Sequence, residues 1–161
     1  MKILLISDTH GIVSKLKDEV LPMYAGEVQM VVHLGDYAVD LYRFRPQYPS
    51  LEIVGVGGSF ENETAERVLE VGSDVQRRIL IMHGHTMGVK TDLSRIAYYA
   101  QEKGVDACFF GHTHESTTFT KNGIFFMNPG SLSQPRNTTK GTFGLVTIAP
   151  DGQITGEVVA T

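Results

Sequence analysis

The sequence predicts an α/β fold in which two sheets pack face to face with helices outside, and three observations carry that expectation. Apolar, β-branched runs alternate with stretches of helical periodicity through the first two thirds of the chain, hairpin-like pairs of runs close it, and the early runs end in aspartate or histidine. The first run, Ile3, Leu4, Leu5 and Ile6, leads into Ser7, Asp8, Thr9, His10 and Gly11. Residues two apart on a strand share a face, so alternation would bring Asp8 and His10 to one point at the strand's end. A hard carboxylate beside a neutral imidazole suits Mn, Fe, Co, Ni or Zn. A lone Asp-x-His is common in loops; the weight comes from its repetition down the chain.

After Gly11, the residues Ile12, Val13, Leu16, Val20 and Leu21 recur at helical spacing, with Pro22 as the expected stop. Residues 28–34 read as a buried strand running into Gly35 and Asp36, and His33 within it faces away from Asp36 as a structural histidine. Residues 39–48 mix aromatic and basic side chains and end in prolines, which predicts a short helix or irregular surface connection. Residues 51–56 form the third strand candidate, and Gly57 and Gly58 then imply a tight loop, before Ser59, Phe60, Glu61 and Asn62, where backbone must approach something closely.

Residues 67–71 and 76–82 flank Gly72, Ser73 and Asp74 as a hairpin whose second arm ends in His83, Gly84 and His85. Leu93, Ile96, Ala97 and Ala100 then give a helix closed by Gly104, with Tyr98 and Tyr99 at its margins. Residues 105–110 are a further buried strand ending in Gly111, His112, Thr113 and His114. Two more hairpins follow, 117–120 with 124–127 around Asn122-Gly123, and 143–148 with 154–159 around Asp151-Gly152. Between them lies a polar loop, residues 128–142, holding Asn128, Ser131 and Arg136.

Composition narrows the function classes. With 161 residues the chain is expected to form a single domain, 1–161, with a substantial core. A net charge of -4 and the lack of a basic tail argue against a nucleic-acid polymer as partner. The single cysteine, Cys108, sits in an apolar run and excludes an intrachain disulfide, leaving a small core residue and a reducing compartment. The N-terminal apolar run is too short for a signal peptide or a membrane span, so a cytoplasmic protein without membrane attachment is expected. Self-association is left open. Arg43, Arg45 and Arg136 read as solvated surface cations before any role toward phosphate is considered.

The polar residues that end apolar runs are Asp8, His10, Asp36, His83, His112 and His114, with the Ser59 loop at a seventh such position; four of the six histidines fall in this set. If the parallel strands share a direction, these groups converge at the carboxyl edge, where open α/β sheets place ligands. The ordered series Asp-x-His, Gly-Asp, His-Gly-His and Gly-His-Thr-His, with a glycine-rich loop after the third strand, resembles the calcineurin-like metallophosphoesterases over essentially the whole chain. The short length and Asn128, Pro129, Gly130, Ser131 resemble the small bacterial YfcE-type phosphodiesterases.

That resemblance implies a four-layer α-β-β-α sandwich of two mixed sheets holding two divalent metal ions, manganese foremost, with iron, nickel, cobalt or zinc as alternatives. It implies Asp8, His10 and His114 as ligands of one ion, Asp36 as the bridge, and His83 and His112 on the other, with Asp36, His85 and His112 as catalytic positions. Two dications against two carboxylates and neutral imidazoles leave the centre positive, attractive to a small phosphodiester monoanion, and a metal-bridging hydroxide would attack phosphorus. The chain departs from the family in its third motif: Ser59 stands where an asparagine carbonyl ligates the second ion, Phe60 follows it, and Glu61 or Asn62 is the substitute within reach. The alternative reading is a non-catalytic protein-binding scaffold of the same fold, like the retromer subunit, with a degraded metal site. A DNA-processing nuclease of the superfamily is expected to fit less well, since 161 residues leave no room for a capping domain and show no basic face.

Overall fold

The structure is a computed structural model covering residues 1–161. In chain order the strands are β1 (Lys2–Ile6), β2 (Met30–His33), β3 (Glu52–Gly55), β4 (Glu66–Val71), β5 (Arg77–Met82), β6 (Ala107–Phe109), β7 (Ser116–Lys121), β8 (Ile124–Pro129), β9 (Thr142–Ile148) and β10 (Ile154–Ala160). The helices are α1 (Leu21–Tyr24), α2 (Val39–Tyr42) and α3 (Ser94–Lys103). One sheet runs β10-β9-β1-β2-β3 and the other β4-β5-β6-β8-β7. Within the first, β1, β2 and β3 are parallel while β9 and β10 are antiparallel; within the second, β5, β6 and β8 are parallel, with β4 and β7 antiparallel at the edges.

The period-two pattern of β1 explains the layering. Ile3 and Leu5 face a core shared with Ile79, Ile81, Phe109 and Met127 of the second sheet. Leu4 and Ile6 face the opposite way, against Leu16, Leu21, Leu41 and Phe44. Ile3, Leu4, Leu5 and Ile6 are all fully buried, each side chain contributing about 1.5–3 kcal/mol of transfer free energy. On the far side of the second sheet, Leu80, Cys108 and Phe126 pack on Ile96, Ala97 and Ala100 of α3. The result is helix, sheet, sheet, helix, as expected, with Cys108 as a core residue whose thiol pKa is raised by burial. Helix α3 ends at Gly104, whose φ of 63° supplies the left-handed cap.

One boundary differs from expectation. Pro22 does not stop its helix but lies in the first turn of α1, because a π-type turn over Leu16–Val20 precedes it and the Leu21 amide bonds back to Leu16 O. That wider turn relieves the position where a proline ring meets the preceding turn and where its missing N–H would leave a carbonyl unserved. Strands β2, β3, β5 and β6 are also shorter than the runs expected for them, and the residues beyond them form loops. The carboxyl ends of β1, β2, β3, β5 and β6 all meet at one end of the seam between the sheets.

Candidate metal centre

Strand alternation is not what brings Asp8 and His10 together, contrary to the sequence expectation, since β1 ends at Ile6. The backbone turns instead through the left-handed region, with φ of 54° at Asp8, 49° at His10, 55° at Asp36, 71° at His112 and 60° at His114. Apart from these, only Tyr37 and Asn122 among non-glycine residues have positive φ, so the strain is concentrated at this end of the sheets. Asp and His tolerate that conformation better than most side chains, which gives the residue types a backbone reason as well as a chemical one.

Potential ligand atoms of Asp8, His10, Asp36 and His114 lie within 4.8 Å of one another, and so do those of Asp36, His83 and His112. His10 Nε2 is 3.3 Å from His114 Nε2 and 3.5 Å from Asp36 Oδ2; His83 Nε2 is 3.1 Å from His112 Nδ1 and 3.4 Å from the same Asp36 oxygen. His114 Nε2 is 3.3 Å from Asp8 Oδ1. Ligands held about 2.0–2.1 Å from one cation stand about 2.8–3.4 Å apart at octahedral or tetrahedral angles, so these separations are close to the edges of a coordination shell.

The tautomers agree with that fit. His83 Nδ1 donates to Leu34 O at 2.7 Å and His114 Nδ1 donates to Gln134 O at 2.8 Å, which leaves each Nε2 with a lone pair directed at the carboxylates. Asp8 Oδ2 accepts from the Ser7 hydroxyl at 2.5 Å and from the His112 amide at 3.1 Å, while Asp8 Oδ1 is buried without a hydrogen-bond partner. A buried, unpartnered carboxylate oxygen faced by imidazole nitrogens is expensive unless a cation joins them. These residues form a candidate divalent-metal site of aspartate and histidine.

Burial would raise the pKa of Asp36, but neighbouring His83, the Ser59 amide and His10 hold the carboxyl well below the usual range. Burial lowers His83, yet Asp36 and Asp8 outweigh it and raise its pKa; at His114 the adjacent Asp8 raises the pKa against burial. His112 is lowered to about 4 by burial, with the charges of His83 and Lys90 adding to the effect. His85 is lowered by burial; its ring centroid is 5.4 Å from that of His83 and 6.2 Å from that of His112, and its Nδ1 is buried without a partner.

Ser59 is exposed, and its backbone amide donates to Asp36 Oδ1 at 2.8 Å. The close approach expected of the glycine pair is real: a Cβ on Gly58 would collide with Asp36 Oδ1 and with the Asp36 backbone nitrogen. Glu61 is committed elsewhere than to a metal, accepting from the amides of Tyr37, Ala38 and Gly58, each at 2.9 Å. It thereby ties the loop after β3 to the loop after β2. Asn128 donates to Gly111 O and Thr113 Oγ1, and Ser131 to Asp8 O, so both shape the site's loops. Arg45 stacks over Tyr42 and donates to Ile53 O, a structural task, whereas the Arg136 amide donates to His114 O at the border of the cluster.

Little in the sequence signals the support behind Asp8 and His10. Asp40 is buried, and its Oδ2 accepts both the Thr9 hydroxyl and the Gly11 amide at 2.8 Å. His33 continues the chain: Nε2 lies 2.9 Å from Thr9 Oγ1, and Nδ1 accepts from the Gly35 amide at 3.2 Å. His33 is thus structural, as expected. The one cue to Asp40 is its place between the apolar residues Ala38 and Leu41.

Residues 1–151 match the calcineurin-like phosphoesterase superfamily domain. A probable metallophosphoesterase, YsnB of Bacillus subtilis, is 32% identical over 158 residues, covering 94% of this chain and 86% of the relative. A predicted phosphoesterase from Streptococcus pneumoniae superposes with a TM-score of 0.74 at 26% identity, over 99% of this chain and 97% of that one. Vps29 of Entamoeba histolytica, complexed with zinc, superposes with a TM-score of 0.76 at 25% identity, over 99% of each chain. With its fold, its ordered Asp and His motifs and these matches in agreement, the chain belongs to the calcineurin-like phosphoesterase superfamily.

Proposed function

We propose that the chain hydrolyses a small phosphodiester with the help of two divalent metal ions, manganese foremost. The observation that carries this reading is the pair of ligand groups that share Asp36, one completed by Asp8, His10 and His114 and the other by His83 and His112. Ions held there would supply Lewis acidity at the phosphoryl oxygens and an activated water for in-line displacement. Asp36 is the shared carboxylate, kept ionised by its neighbours. His112, with a pKa near 4, stays neutral at physiological pH and keeps its lone pair. His85, beside His83 and His112 at the partly exposed edge, is assigned contact with substrate. Ser59 is the neutral candidate at the second ion in place of the family's asparagine. No helix is long and apolar enough to cross a membrane, and the cytoplasmic setting expected from the sequence belongs to this reading.

The likeness to Vps29 and the Ser59-Phe60 departure favour a second reading, a protein-binding scaffold of the same fold. Metal analysis of the purified protein, paired with turnover of an aryl phosphodiester with and without added Mn, separates the two. The enzyme reading expects metal-dependent turnover that Asp36→Asn abolishes together with a fall in metal content. Metal-loaded protein without turnover is the result the scaffold reading expects.

A further inference from the structure

Of the seven large apolar side chains the fold leaves exposed, four stand on the connections that follow β1, β2 and β3: Ile12, Tyr37 and Phe60 in loops and Val39 at the start of α2, with Phe60 79% exposed. None of the four belongs to the buried clusters. Tyr37 follows the shared carboxylate directly, and its ring centroid is 5.7 Å from that of His10. Phe60 follows Ser59, whose amide holds Asp36. The Glu61 carboxylate, bonded to the Tyr37, Ala38 and Gly58 amides, fixes these two aromatic loops relative to each other. The other flank of the cluster differs: Lys90, Thr113, Glu115 and Arg136 line a polar recess beside His112 and His114.

We infer that Tyr37 and Phe60 form a subsite for an aromatic ester group, so that the preferred substrate is a phosphodiester whose retained ester group, the one not expelled, carries a planar ring on the β1–β3 side of the centre. The inference rests on the phosphodiesterase reading and refines its substrate class. An exposed phenylalanine contributes nothing to the core, and aromatic faces beside an anion-attracting centre match an amphipathic ligand with a charged phosphoryl group and an apolar ring. Ring-on-ring contact favours such a ligand over an aliphatic one by about three- to tenfold.

The test compares two esters with one leaving group, phenyl p-nitrophenyl phosphate and methyl p-nitrophenyl phosphate, in the metal-loaded protein and in the variants Phe60→Ser and Tyr37→Asn. Asparagine is chosen at Tyr37 because that residue has a φ of 79°. The phenyl-to-methyl ratio of kcat/KM should fall about three- to tenfold in each variant, through KM. Calorimetric binding of phenylphosphonate and methylphosphonate, which have no ester to cleave, should show the same preference in the native protein and its loss in Phe60→Ser. Unchanged ratios in both variants, or no phenyl preference in the native protein, overturn the subsite. Absence of turnover with an intact phosphonate preference overturns the hydrolase reading while leaving the aromatic contact in place.

Discussion

Lowering the pH should destabilise this fold through His33 by an amount the structure allows to be worked out. Its imidazole is fully buried and its pKa is lowered from 6.5 to about 4, chiefly by burial, with the Asp8, Glu61 and Asp40 carboxylates pulling the other way. Protonation would also cost the bond in which Nδ1 accepts from the Gly35 amide. Between pH 6.5 and 4 the unfolded chain binds a proton at this position that the folded chain does not, so stability is fully present above pH 6.5 and falls as the pH drops. The interval corresponds to about 3 kcal/mol, or a shift of about 1–3 M in the urea midpoint for a protein of this size. Urea titrations of metal-free protein from pH 7 to pH 4, for the native chain and His33→Gln, isolate the contribution, because the other titrating groups are common to both. The glutamine side chain does not titrate, so the native protein should lose about 3 kcal/mol more than the His33→Gln variant as the pH falls. Parallel profiles would show that His33 is not held neutral by its surroundings.

Three further outcomes follow from the site's loops. Gly58→Ala should place a methyl against the Asp36 backbone and carboxylate, costing about 1–3 kcal/mol in chemical denaturation and lowering metal content; undiminished metal binding would show that the approach is not needed. Glu61→Ala removes the acceptor for three amides and should cost at least about 2 kcal/mol, read by the same titration, with activity falling as the Tyr37 and Gly58 loops separate. Ser59→Asn should tighten the second ion's site, each tenfold gain in affinity being worth about 1.4 kcal/mol, as followed by calorimetry and by the free metal needed for activity. An unchanged second-site affinity would mean that a side chain at this position does not contribute to that ion.

The fold was legible because burial wrote it into the sequence. Ile3 to Ile6 had to be apolar throughout, being packed on both faces, and the Asn122-Gly123 and Gly72 turns marked their hairpins. The identities of the cluster residues were legible for a similar reason, since an aspartate or histidine after such a strand stands out against its neighbours. How they converge was not: left-handed backbone at Asp8, His10, Asp36, His112 and His114 leaves no periodic trace, and alternation suggested a different geometry. Asp40 and the task of Glu61 stayed hidden because their partners are largely backbone amides, which nearly every residue carries. Pro22 misled because a local π-type turn, set by context, accommodates it.

The order in which the two sheets draw on the chain bears on how the protein folds. The second sheet uses one continuous stretch, from Glu66 to Pro129, whereas the first is completed only when β9 and β10 return to β1. The Met1 amino group itself bonds Ile148 O across 147 positions. All six histidine and aspartate members of the cluster have been synthesised once His114 emerges, yet β1 still has an unpaired edge at that moment. Closing so long a loop is slow relative to forming local hairpins. A nascent or truncated chain ending near Ser133 therefore carries the complete set of candidate ligands while the first sheet is still open at the β1 edge that β9 later covers.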